Sequence, residues 1–139
     1  MAQRADDDEL RIVLQRVARR IRSNRAEGDL GDSQLSVLFH LEARGTLTPT
    51  ELAALEHITP PSMNRTVNGL EEAGFVTRAK SVDDARKVHV SLTPRGEALL
   101  VETRRLRSAW FSEELATLTD GERAALDAAL PTLRKLAGS

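Results

Sequence analysis

Residues 75–96 read FVTRAKSVDDARKVHVSLTPRG, and the choice of fold turns on them. Val88, Val90 and Leu92 alternate with His89 and Ser91, the period-two pattern of a strand with one buried face. Phe75 to Lys80 supplies a partner strand, and the polar stretch Ser81 to Arg86 supplies the turn between the two. Thr93-Pro94 then sets an N-cap and a first-turn proline, so a helix begins where the second strand ends. The segment predicts a β-hairpin, basic at its tip, that feeds straight into a helix.

Upstream, the apolar spacing predicts four helices. Leu10, Val13, Leu14, Val17 and Ile21 mark the first, which Gly28 and Gly31 bring to an end. Asp32 caps a second, with Leu35, Leu38 and Phe39 facing a core, and Gly45 stops it. Thr48-Pro49-Thr50-Glu51 has the form of a capping box and starts a short third helix reaching about His57. Thr59 caps a fourth, Pro60 to about Ala73, with Gly74 in the C′ position. Two short helices across a tight turn, followed by a hairpin, predict a helix-turn-helix with a wing.

Downstream, a long helix runs from Pro94 to about Leu115. A last helix, capped by Thr119 or Asp120, continues to about Leu136 with a kink at Pro131. The expected fold is mainly α with a small β-hairpin wing. Residues 32–96 form the winged helix-turn-helix; residues 1–31 and 97–139 supply flanking helices of the same structural domain. Leu99, Leu100, Leu106, Trp110 and Leu115, then Leu126, Leu130, Leu133 and Leu136, give the last two helices apolar stripes. With the first helix they exceed what one small core needs, which predicts a dimer interface built from both chain ends.

A chain of 139 residues suits one domain with a real core. Its mean hydropathy of −0.34 is that of a soluble protein. No run approaches the length of a membrane span, and MAQRADDDEL lacks the pattern of a secretory signal. With no cysteine, disulfides, thiolate metal sites and thiol redox sensing are ruled out. A cytoplasmic protein without a membrane partner is expected. No nucleophile–base pair, metal cluster or phosphate-cradling glycine loop is visible, so neither an enzyme nor a cofactor is expected. His40, His57 and His89 show no zinc-ligand spacing.

Net charge is −1, so bulk electrostatics do not announce a nucleic-acid partner, whereas local charge does. Residues 75–96 carry five basic side chains against two acids. A second basic cluster (Arg11, Arg16, Arg19, Arg20, Arg22 and Arg25) suits phosphate contact or simply a solvated helix face. In a helix-turn-helix the start of the second helix enters the major groove. There Arg65 can reach guanine, Asn64 can pair with adenine, and Ser62 or Thr66 can read a base or bind phosphate. Alone, this would pass for any solvent-facing helix start; the wing behind it is what makes it a reading head. Arg86 at the wing tip has the reach for a narrow minor groove, and Asp84 can hold it in position. Lys87 joins them at the wing. Thr48, Pro61, Arg78 and Lys80 are expected along the DNA backbone.

The chain resembles the MarR-type winged-helix transcription factors over nearly its whole length. The resemblance rests on Asp84-Ala85-Arg86 followed by Val90-Ser91-Leu92-Thr93-Pro94-Arg95-Gly96, which match the family's wing pattern. Upstream, Ser62-Met63-Asn64-Arg65-Thr66-Val67 and Leu70-Glu71-Glu72-Ala73-Gly74-Phe75-Val76 resemble the recognition helix and its exit. It implies a homodimer whose two winged helices bind one double-stranded palindrome, usually as a repressor. Carried over by position, Arg86 is the minor-groove arginine, Asp84 its orienting partner, and Ser62, Asn64 and Arg65 are major-groove readers. Ala85 departs from the pattern, since many relatives have arginine there. The resemblance also implies a small aromatic or phenolic anion as effector. Arg16, Arg20, His40, Trp110 and Phe111 are the candidates to hold one, although Trp110 better suits a dimer core and His40 a helix surface or simple packing. The competing expectation is a winged-helix module that docks a protein instead of DNA.

Overall fold

The computed structural model describes residues 4–26, 30–84 and 86–138. Gly28, expected to help end the first helix, and Ala85 lie outside the described residues. The chain runs α1 (Asp7–Arg22), α2 (Asp32–Arg44), α3 (Pro49–Glu56), α4 (Pro60–Glu72), β1 (Val76–Lys80), β2 (Val88–Leu92), α5 (Pro94–Leu115) and α6 (Asp120–Ala137). No helix among the described residues is long and apolar enough to cross a membrane.

Four of these helices start on threonine. The hydroxyls of Thr48, Thr59, Thr93 and Thr119 accept the backbone N–H of Glu51, Ser62, Gly96 and Glu122. Proline follows the first three, where its missing N–H costs nothing. The full reciprocal box forms only at Thr119, whose backbone N–H reaches Glu122 Oε1 at 2.9 Å. At α3 the Glu51 carboxylate accepts the Thr48 hydroxyl instead, at 3.1 Å. The cap of α2 is displaced by one residue from expectation. Gly31 is the N-cap, its N–H bonded to Gln34 Oε1 at 3.1 Å, and Asp32 is the first helical residue. A carboxylate there favours the helix dipole and is held by Arg25 at 2.9 Å. At the other end of the chain, α6 continues through Pro131 to Ala137.

The exit of α4 aims the wing. Gly74 adopts φ +84°, a conformation that only glycine takes without strain. Its N–H bonds to Glu71 O at 3.0 Å, and the Phe75 N–H returns to Leu70 O at 3.0 Å. This motif turns the helix directly into β1 and returns Phe75 to the core. The hairpin pairs Val76 with Leu92 and Lys80 with Val88, antiparallel. Leu47 adds a bridge to Val90, with bonds of 3.2 and 2.7 Å, so the entry to α3 is stitched to the wing's base.

The buried apolar residues of the core lie between Leu30 and Leu100, with Ala26 packed against them. Leu38, Leu52, Met63, Val67, Leu70, Val90 and Leu100 are fully buried. Helices α1 and α6 contain no buried residue. Leu10, Val13, Leu14 and Val17 on α1, with Leu126, Leu130 and Leu136 on α6, are exposed large apolar side chains. The helix-turn-helix, the wing and the start of α5 thus share one core, with α1 and α6 exposing apolar side chains beside it.

Candidate nucleic-acid interface

Helix α4 is anchored by Met63, Val67 and Leu70, all fully buried, which turns the intervening residues outward. Asn64 and Arg65 are exposed, and Ser62 and Thr66 half-buried. The hydroxyls organise the helix start. Thr59 donates to Ser62 Oγ at 3.0 Å, Arg65 Nη2 donates to the same oxygen at 3.3 Å, and Thr66 donates back to Ser62 O at 3.2 Å. Thr66 therefore faces its own helix, and Asn64 and Arg65 are the exposed polar side chains of this start. Pro61 lies exposed beside them.

The wing tip is internally braced. Ser81 N–H bonds to Lys87 O and Lys87 N–H to Asp84 O, each at 2.9 Å. Asp84 Oδ1 accepts both the Arg86 backbone N–H, at 3.0 Å, and Arg86 Nε, at 3.3 Å. Asp84 keeps only 31% of its side-chain surface exposed, whereas Arg86 keeps 92%. The geometry is that of a tethered arginine presented to solvent. An exposed pair of this kind contributes little stability, so orientation is its main consequence.

A cleft of about 600 Å³ lies between the start of α3, the outer face of α4 and the wing. Thr48, Asn64, Arg78, Arg86 and Lys87, all expected at a DNA surface, line it together. Ser62, Arg65 and Thr66 stand on the adjoining face of α4, and Lys80 is exposed at the end of β1. Arg78 lines the cleft with its guanidinium already engaged. Its Nη1 donates to Asn68 Oδ1 at 2.7 Å and to Glu71 Oε1 at 3.2 Å. The sequence assigns Asn68 and Glu71 no part at this surface, because contact across the helix–strand turn leaves no short-range signal.

The effector candidates do not all meet. The Arg20 guanidinium lies 4.9 Å above the Trp110 ring and 3.5 Å from Glu114. Trp110 and Phe111 stack at 6.3 Å. These residues share the α1–α5 seam, with Arg16 exposed on α1. His40 instead faces Glu56 of α3 at 3.6 Å, inside the winged lobe. The second basic cluster also disperses. Arg11 pairs with Asp8, and Arg25 binds Leu30 O at 2.7 Å and Asp32. Nearby, Arg107 packs over Phe39 at 5.3 Å and donates to Asn24 O at 3.2 Å. Burial, and then the charge of Arg25, pull its guanidinium below the usual arginine range.

Residues 30–88, which span the helix-turn-helix and most of the wing, match the MarR family. An HTH-type transcriptional regulator of Mycobacterium tuberculosis is 39% identical over 83% of this chain and 80% of its own. An HTH-type transcriptional repressor of the same species is 34% identical over 83% of this chain and 86% of its own. Among solved structures, wild-type MarR from E. coli superimposes with a TM-score of 0.72 at 25% identity, covering 94% of this chain and 98% of that one. With the capped reading helix, the Asp84–Arg86 wing and these likenesses over most of its length, the chain belongs to the MarR family of winged helix-turn-helix transcriptional regulators.

Proposed function

We propose that this chain is a sequence-specific, double-stranded DNA-binding regulator that acts in the cytoplasm as a homodimeric repressor on a palindromic operator. The observation that carries the reading is the cleft on which α4, the start of α3 and the wing converge, with Arg86 tethered by Asp84 at its rim. In this reading Ser62, Asn64 and Arg65 enter the major groove, with the Thr66 methyl in apolar contact. Arg86 enters the adjoining minor groove, where the negative potential is deepest, and Lys87 follows it. Thr48, Pro61 and Lys80 lie along the backbone. The likeness to a mycobacterial repressor supports repression.

A small aromatic anion would take the α1–α5 seam, exchanging for Glu114 at Arg20 and stacking on Trp110 and Phe111. Such a ligand releases DNA if it favours a dimer whose reading helices are wrongly spaced for major grooves roughly 34 Å apart. Sequencing the DNA that the purified protein selects from a random pool tests the core of this reading. An enriched palindrome is expected; no enrichment would favour a protein-docking module.

Two substitutions separate the roles. Arg86→Ala should weaken operator binding and lower the log–log salt slope by about 0.9, one phosphate-equivalent. An unchanged titration would remove Arg86 from the interface. Arg65→Ala should relax sequence preference at one position per half-site more than it weakens non-specific binding. A uniform loss across sequences would make Arg65 a phosphate contact.

A further inference from the structure

The Arg78 guanidinium is the most heavily engaged basic group facing the cleft. Asn68 Oδ1 and Glu71 Oε1 hold Nη1, at 2.7 and 3.2 Å, while Glu71 Oε2 accepts the Arg78 backbone N–H at 3.2 Å. Its side chain keeps only 21% of its surface exposed. From this grip, Nη2 reaches Asn64 at the carbonyl oxygen (3.4 Å) and at Oδ1 (3.5 Å). The other end of the same amide is also held, because Asn64 Nδ2 donates to Pro60 O at 3.1 Å.

These two bonds decide which way the Asn64 amide faces. A flipped amide would set its NH2 against the guanidinium and its oxygen against the Pro60 carbonyl, pairing donors with donors and acceptors with acceptors. In the held orientation one N–H and one oxygen lone pair remain for a partner. That donor–acceptor pair matches N7 and N6 of adenine in the major groove. Guanine presents two acceptors there, and an amide with one N–H already committed cannot satisfy both.

We propose that Arg78 is a positioning residue that fixes the orientation of the Asn64 amide and thereby sets a preference for adenine at the base pair Asn64 reads. The inference rests on the placement of α4 in the major groove proposed above. It gives Arg78 a part in specificity in place of the expected backbone contact.

Selection and sequencing of bound DNA test it, using the full chain as wild type, Asn64→Ala, Arg78→Gln and the double variant. Wild type should prefer A·T at one base pair per half-site, and Asn64→Ala should lose that preference. Arg78→Gln should lower the same preference by roughly tenfold, with no further loss in the Asn64→Ala background. Its salt slope should change by well under one phosphate-equivalent, because Asn68 and Glu71 already hold the guanidinium. A uniform loss of affinity with the slope reduced by about 0.9 would place Arg78 on a phosphate and overturn the inference. So would an unchanged A·T preference, or a change at a different base pair. Should Arg78→Gln fail to fold, Asn68→Ala removes the 2.7 Å strut and carries the test with the same readouts. Wild-type protein that selects no sequence sinks both this inference and the underlying function. A selected palindrome whose A·T preference ignores Arg78 sinks this inference alone.

Discussion

Gly96→Ala is expected to destabilise the fold by about 3 kcal/mol, the upper end for forcing one extra carbon into packed surroundings. A Cβ built on Gly96 lies 2.3 Å from the Phe75 carbonyl oxygen and 3.1 Å from Leu92 Cδ2. The first of these is backbone, and it has nowhere to retreat. Phe75 O accepts the Thr93 N–H at 3.1 Å, and the Phe75 ring is 3% exposed in the core. Thr93 tightens the junction further, donating its hydroxyl to Gly74 O at 2.6 Å while accepting the Gly96 N–H at 3.1 Å. Arg95 closes it from outside, with Nε on Ala73 O at 3.1 Å and its guanidinium over the Phe75 ring.

The start of α5 is thus wedged against the exit of α4, and a methyl group must push the wing and the long helix apart. The melting temperature should fall by roughly 10 °C, which thermal and urea unfolding would both register. Gly121→Ala is the internal control. Nothing lies within 4 Å of its added carbon, so stability should hold or rise by a few tenths of a kcal/mol through helix propensity. A Gly96→Ala protein as stable as wild type would mean that the junction is looser than its geometry.

That junction also marks how far the sequence could be read. Thr48, Thr59 and Thr93 announce their helices because capping is a local matter, settled within three residues. The hairpin is legible for the same reason, its alternation running through Val88, Val90 and Leu92. Gly96 stands in the motif Leu92-Thr93-Pro94-Arg95-Gly96, yet nothing in that string says that Phe75 O will come within reach of its Cα hydrogens. The bridge from Leu47 to Val90 is equally hidden, since it joins residues 43 positions apart. The Arg78–Asn68–Glu71 grip depends on where the turn at Gly74 aims β1 across α4, and only the folded chain reveals it. His40 is the converse. Its residue type suited an effector site, but its place on α2 sets it against Glu56, away from the Arg20–Trp110 seam.

Val17→Asp combined with Leu130→Asp should convert the proposed homodimer into a folded monomer and weaken operator binding by roughly 100-fold or more. Val17 on α1 is 40% exposed and Leu130 on α6 is 46% exposed. Neither helix has a buried residue, so the described chain leaves both apolar faces largely open. A few hundred square ångströms of contiguous apolar surface is about the limit for a soluble monomer, and two helices uncovered in this way suit a self-complementary interface. A carboxylate placed there must be stripped of water without a partner, at a cost of several kcal/mol to association. It costs the monomer almost nothing, because the core between Leu30 and Leu100 is untouched. Light scattering should therefore move from twice 15.3 kDa to 15.3 kDa, while far-UV circular dichroism keeps its helical signal. The loss in DNA affinity follows from tethering, since one bound lobe no longer raises the local concentration of the second at its half-site. Binding to an isolated half-site should change little, because Asn64, Arg65 and Arg86 stay where the lobe holds them. A variant that remains dimeric and binds the full palindrome as wild type does would place the interface elsewhere on the chain.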